Sequence, residues 1–404
     1  MTPPRSADEH AETVARLLAP LTAEPAVESL PLAAASGRIS AGDIRSEVDL
    51  PLFRNSQMDG FAVRAADIRR TPVALEVAGD IPAGHETPVA HTPGTAIRIM
   101  TGAPVPAGAD AVVPVEDTEL ILGRDDDLAG AIVEIRRSRE RGEYVRERGS
   151  DLRRGEVLVP AGTRLAPRHL AALAAAGVES VLVRSRLKVG ILTTGSELTT
   201  PESPARFGQV FDANGVALAA LVEEAGASVA VRRTSDDDPA TFARLFDEAV
   251  ASCDLVITSG GISKGAYEVV REVLAPRGAE VTTVAMQPGG PQATAVVDGV
   301  PVLCFPGNPV STQISFTVFL RAPLRAASGL DPLPLSTARL AEPVRSVPGK
   351  RQFLRGRLTD GEVSPVAGPG SHLVAAMARA DVLLDIPAHV ESVDAGSDVT
   401  VWTL

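Results

Sequence analysis

Three short stretches set small hydroxyl, amide and glycine residues at the ends of apolar runs: TTGSE (193–197), SGGISKG (259–265) and PGNPVS (306–311). Small side chains let backbone N–H groups approach a ligand, and a following helix N-terminus adds partial positive charge. Such loops suit a phosphate-like anion. The residues that would do this are Thr194, Gly195 and Ser196, then Ser259, Gly260, Gly261 and Ser263, then Pro306, Gly307, Asn308 and Ser311. FDANG (211–215) adds Asp212 and Asn214. Glu197 and Asp212 are the nearest carboxylates, and oxygen ligands of this kind hold a hard divalent cation beside a phosphate. Capping of a helix N-terminus is the ordinary alternative for both. Neither a P-loop nor a G-x-G-x-x-G spacing is present, which disfavours an ordinary nucleotide kinase or a dinucleotide dehydrogenase.

The elements that must carry these loops are legible around them. KVGILTTG (188–195), SVAVRRT (228–234) and DLVITSGG (254–261) read as strands. Helical patterns follow in QVFDANGVALAALVEEAGA, in PATFARLFDEAVASC (239–253) after the acidic Asp236–Asp238, and in AYEVVREVLAPRG. EVTTVAM is a strand, ATAVVDGVPVLCF a hairpin around Asp298 and Gly299, and the segment after PGNP a final helix. Strand–helix alternation predicts a parallel sheet covered on both faces, with ligands at the carboxyl ends of its strands. Before it, Ala7–Leu18 reads as a short amphipathic helix and 165–178 as a helix ending at glycine. From Leu50 to about Gly149, short alternating runs separated by PAG, TPG and TGAP turns predict a β-rich module. PLPLSTA (332–338) is a proline-rich link to a small all-β tail.

Composition narrows the function. With 404 residues the chain exceeds one core, so several domains are expected. A net charge of −12 argues against nucleic-acid binding, which draws its affinity from a basic face. It leaves room for a small anion held by a local cluster. Cys253 and Cys304 lie in apolar contexts and read as buried structural thiols. The first residues carry charges throughout and lack an apolar core, so no signal peptide is expected. HLAALAAAGVESVLV is interrupted by Glu179 and too short to span a bilayer. These features predict a cytoplasmic protein without membrane insertion.

The runs PLFRNSQMDGFAVRAAD (51–67), RIMTGAPVPAGADAVVPVED (98–117) and RERGSDLRRGE (146–156), followed by GILTTGSEL, GQVFDANG, DLVITSGGIS and LCFPGNPVS, cover nearly the whole chain in one order. In this the sequence resembles the molybdopterin molybdenumtransferase family, the MoeA proteins and the gephyrin E domain. The resemblance implies a multidomain α/β and β protein. A mixed N-terminal domain comes from two segments (1–46 and 150–186), with a β-rich lid domain (47–149) between them. A three-layer α/β molybdopterin-binding domain (187–328) and a C-terminal β-barrel (332–404) follow. It also implies a homodimer that takes adenylylated molybdopterin and molybdate, inserts the metal and releases AMP with Mg²⁺. Carried over, Asp59, Thr101, Glu197 and Asp237 would be catalytic, with Glu197 and Asp212 on the metal. Arg146 and Asp151 match R-x-R-G-x-D, and Arg355 and Ser371 come from FLRG and GPGSH.

Departures concentrate in two loops. Members usually read S-V-G-D-Y after the double glycine; here the run is SKGAY, with Ala266 at the acid's place and Lys264 as an added cation. Members also often read K-V-A-M-K-P-G-K-P; here Thr283, Gln287 and Gly290 stand at the three lysine places. Fewer cations should weaken polyanion binding. Two readings follow: a molybdenum insertase with a retuned loop, or a non-catalytic dimeric scaffold that binds a protein partner.

Overall fold

A six-stranded mixed sheet carries the three small-residue loops. Its strands are β1 Lys188–Thr194, β2 Ser228–Ser235, β3 Leu255–Ser259, β4 Glu280–Thr283, β5 Pro291–Val297 and β6 Val300–Phe305, in spatial order β2-β1-β3-β6-β5-β4. This is a computed structural model, and the residues it describes are 4–23, 25–84, 89–124, 127–200, 204–262 and 268–404. Strands β2, β1, β3 and β6 are parallel. The expected hairpin at Asp298 and Gly299 is present, and it makes the sheet mixed rather than wholly parallel: β5 runs antiparallel to both its neighbours. Asp298 and Gly299 take positive φ values of 50° and 84°. A two-residue turn of that kind can only reverse the chain.

Four helices cover the sheet: α1 Ala213–Glu224, α2 Pro239–Val250, α3 Val269–Leu274 and α4 Pro309–Ser315. The two-residue period of β1 sends side chains to opposite faces. Val189 and Ile191 pack with Leu218 and Val222 of α1, while Leu192 packs with Phe242 and Phe246 of α2. Both cysteines are free and buried here, and burial pushes the Cys304 thiol up to about 12.

The chain divides into two units, Met1–Val27 with Arg184–Leu404, and Glu28–Val183. The helix Ala7–Leu18 therefore goes with the α/β sheet rather than with a domain of residues 1–46. Its capping box of Ser6 and Glu9 fixes its start. Its apolar stripe, Ala7, Val14 and Leu18, is buried in the same cluster as Phe316 and Phe319. The first unit ends in a closed barrel. Strands Arg351–Thr359, Glu362–Pro365, Ser336–Leu340, Asp398–Thr403 and Val382–Ile386 follow one another, and the last pairs back to the first. Met286–Gln287 adds a short parallel strand to the start of Arg351–Thr359.

The second unit holds a six-stranded sheet. Its spatial order is Ala111–Pro114, Gly60–Val63, Thr95–Ile99, Val73–Ile81, Asp127–Ile135 and Thr118–Arg124. Gly60 is required where it stands, since a Cβ there would lie 2.0 Å from the Val113 carbonyl oxygen. No described helix is long and apolar enough to cross a membrane.

Candidate active site

A cleft of about 980 Å³ opens at the carboxyl ends of β1, β3 and β6. Thr194, Gly195 and Glu197 enter it from the loop after β1, and Gly260 and Gly261 from the loop after β3. Pro306, Gly307, Asn308 and Ser311 enter from the loop after β6 and the start of α4. Asn214, Asp237 and Ser371 complete the predicted residues that line it.

Asn214 ties these loops together. Its Nδ2 donates to Ser259 Oγ at 2.9 Å and to the Gly307 carbonyl at 2.7 Å. Ser259 lies beneath the cleft, 1% exposed, and its hydroxyl also contacts Thr312 Oγ1 at 3.1 Å. The strand ends are thus fixed by buried side chains, which leaves glycine backbone at the surface. Gly260 has φ +100°, and a Cβ there would meet both oxygens of Thr194 at 2.7 Å. Two buried oxygens in the cleft wall, Thr194 Oγ1 and Asn214 Oδ1, have no hydrogen-bond partner among the described residues. A buried polar atom without a partner is costly, so both are places where a ligand would complete the structure.

The carboxylates separate by environment. Asp237 Oδ2 accepts from the Ser196 N–H at 3.1 Å and from its hydroxyl at 2.7 Å. Its neighbour Asp238 caps α2 by accepting from Thr241, which holds the Asp238 carboxyl below its ordinary range. The cap of α2 is therefore Asp238, and Asp237 turns to the Ser196 loop instead. Glu197 curls back over Gly195, whose Cβ would meet Glu197 Oε2 at 2.6 Å.

Asp212 needs a correction. It does not line the cleft, and both its oxygens are taken. Oδ1 accepts from the Gly215 N–H at 2.9 Å as the N-cap of α1, and Oδ2 accepts from Thr193 Oγ1 at 2.8 Å. It is a helix cap and loop anchor rather than a free metal ligand.

Arg355 is displaced in the same way. It is 3% exposed, and its guanidinium donates to the carbonyls of Gly368 and Gly370, the latter at 3.0 Å. It does not line the cleft; it holds the loop that presents Ser371. The Ser371 carbonyl in turn accepts from the Val310 N–H of α4 at 3.0 Å.

In the second unit, Asp59 Oδ1 accepts from the Thr101 N–H at 2.6 Å and from its hydroxyl at 2.8 Å. These bonds, the backbone one first, hold the Asp59 carboxyl below its ordinary range. Arg146 reaches Asn55 Oδ1 at 3.5 Å, and Asp151 is exposed, its N–H bonded to the Leu50 carbonyl at 2.9 Å. Ser263, Lys264 and Ala266 lie outside the described residues.

Three family models match in succession. They are the MoeA N-terminal region (domain I and II) over residues 5–177, a probable molybdopterin binding domain over 190–326, and the MoeA C-terminal region (domain IV) over 337–404. The chain is 42% identical over 99% of its length to all of molybdopterin molybdenumtransferase 2 of Mycobacterium tuberculosis. The chain belongs to the MoeA family. It is also 34% identical to the molybdopterin molybdenumtransferase of a Nostoc species, over 100% of this chain and 94% of that one. A molybdopterin biosynthesis MoeA protein from Pyrococcus horikosii superposes with a TM-score of 0.82 at 34% identity, covering 97% of this chain and 98% of the other.

This MoeA family member has cleft residues that the sequence did not single out as site residues. Lys350, Pro369, Gly370 and His372 come from the barrel unit's loops, and Glu268 from the start of α3. Thr283, Gln287 and Gly290, the places where lysines are missing, also line the cleft. The signal that could have found Lys350 is the pairing of Met286–Gln287 with residues 351–352, which no local pattern encodes.

Proposed function

We propose that this chain is a molybdenum insertase. It binds adenylylated molybdopterin, accepts molybdate as the second substrate, and releases AMP. The observation that carries this is the convergence of three small-residue loops with Glu197, Asp237, Thr194 and Asn214 on one cleft of the molybdopterin-binding domain. The names of its full-length relatives support a role in molybdenum cofactor biosynthesis.

The residues act as follows. The glycine surfaces of the loops after β3 and β6 let the phosphates approach the backbone closely. Thr194 Oγ1 and Asn214 Oδ1 accept N–H groups of the substrate, which completes their hydrogen bonding. Asp237 holds the Ser196 loop in register.

The donor set fits Mg²⁺, because the cleft carboxylates Glu197 and Asp237 supply only oxygen. The described residues contain no cluster of three acidic, His or Cys ligands. Mg²⁺ typically takes one or two carboxylates and completes its shell with phosphate and water, so Glu197 and Asp237 would hold it. When bound, it neutralises charge developing on the departing phosphate. The atoms balance: one water opens the phosphoanhydride to AMP and a phosphate monoester, while two thiol protons leave with one molybdate oxygen as water.

The reading includes a cytoplasmic homodimer and a substrate role for Asp59, Thr101, Arg146 and Asp151. Purified protein incubated with adenylylated molybdopterin, molybdate and Mg²⁺ should produce AMP above the protein-free rate. AMP at the protein-free rate under every metal tried contradicts the proposal.

A further inference from the structure

Charge on the walls of the cleft is uneven. Glu197, Asp237 and Glu268 line it, and Lys350 is the one lysine or arginine among the described lining residues. Strand pairing delivers it there. Met286 pairs with Arg351 and Gln287 with Gln352 in parallel register, and Gln352 Nε2 donates to Gln287 Oε1 at 2.7 Å. Residue 350 is thereby carried to the side of the 286–290 segment, which contains no cation of its own.

The neighbouring arginines are committed elsewhere. Arg351 donates to Asp385 at 2.7 and 2.5 Å and to Asp8 at 2.6 Å. Arg355 spends its guanidinium on the carbonyls of the 366–370 loop. Lys350 is exposed and makes no ion pair among the described residues. An ammonium on a flexible four-carbon stem is a mobile point charge suited to phosphate oxygens.

We infer that Lys350 binds the phosphates of the substrate, so that the barrel supplies the cation the 286–290 segment lacks. The inference rests on the cleft's being the site for adenylylated molybdopterin. It also accounts for Gln287: the amide accepts from Gln352 and fixes the strand pairing that positions Lys350, instead of carrying charge itself.

The test is calorimetric titration of the full chain with adenylylated molybdopterin, comparing wild type, Lys350→Ala and Lys350→Arg at several salt concentrations. Loss of one charge-assisted contact should weaken binding of Lys350→Ala by about tenfold, while Lys350→Arg stays within about twofold of wild type. Lys350→Ala should also bind with a shallower salt dependence and raise KM while leaving kcat nearly unchanged. An unchanged thermal midpoint excludes misfolding. If wild type binds and Lys350→Ala binds equally well with the same salt slope, this inference fails while the proposed function stands. If wild type does not bind at all, the proposed function fails and takes this inference with it.

Discussion

Asp237 Oδ2 accepts both the main-chain N–H and the hydroxyl of Ser196, at 3.1 and 2.7 Å, and so joins the loop after β1 to the loop before α2. The two residues that sequence reading placed in separate motifs form one clamp at the mouth of the cleft. Asp237→Ala removes the clamp and a cleft carboxylate together. Single-turnover AMP release should fall on the order of 100-fold, as expected when a reacting group is mispositioned. Ser196→Ala keeps the N–H contact and should cost less than about tenfold. Equal losses in both variants would show that the hydroxyl, not the carboxylate, matters.

Asn214 holds Ser259 and Gly307 through one amide nitrogen. Asn214→Asp keeps the shape but turns that donor into an acceptor facing the Gly307 carbonyl. Urea denaturation should show a loss of about 3 kcal/mol, the scale of a buried polar mismatch. A midpoint equal to wild type would contradict the hub role.

Gly260 sits at φ +100° with Thr194 oxygens 2.7 Å from where a Cβ would be. Gly260→Ala must shift β1 or β3, and strained backbone of this kind costs about 1–3 kcal/mol. The expected result is a lowered thermal midpoint together with loss of substrate affinity. Retained affinity would mean that the close approach of these two loops is incidental to binding.

His10 is buried with its ring edge-on to Phe319 at 4.7 Å. Burial, with a smaller push from Arg5, lowers its pKa to about 4 from 6.5. The unfolded chain therefore takes up this proton before the folded one does. Stability is full above pH 6.5 and is lost as pH falls towards 4, by up to about 3 kcal/mol. Denaturation midpoints of wild type should decline over that window, and those of His10→Phe should decline less. Parallel curves would contradict this account.

Several features were legible because one physical signal carried each. The helix Ala7–Leu18 shows in its 3.6-residue apolar stripe, and the loops of the cleft show as small residues ending buried strands. Asp212 was ambiguous because a helix cap and a metal ligand are the same residue type at the same place; only the donors around it decide. Arg355 fits its motif, yet its direction into the carbonyls of residues 366–370 is a tertiary fact. The reversal of β5 was legible as well, because the turn at Asp298 and Gly299 marks a hairpin within the regular strand–helix rhythm. Lys350 depends on pairing between segments more than sixty residues apart, where no periodicity reaches.

The most direct measurement is the ratio of AMP released to molybdenum incorporated in a single turnover with excess protein, adenylylated molybdopterin, molybdate and Mg²⁺. AMP is read by chromatography, and molybdenum by reconstitution of a cofactor-free molybdoenzyme. Wild type should give one AMP per molybdenum, and Glu197→Gln neither product above background. Molybdenum incorporation without AMP, or Glu197→Gln working at the wild-type rate, would contradict the proposed function.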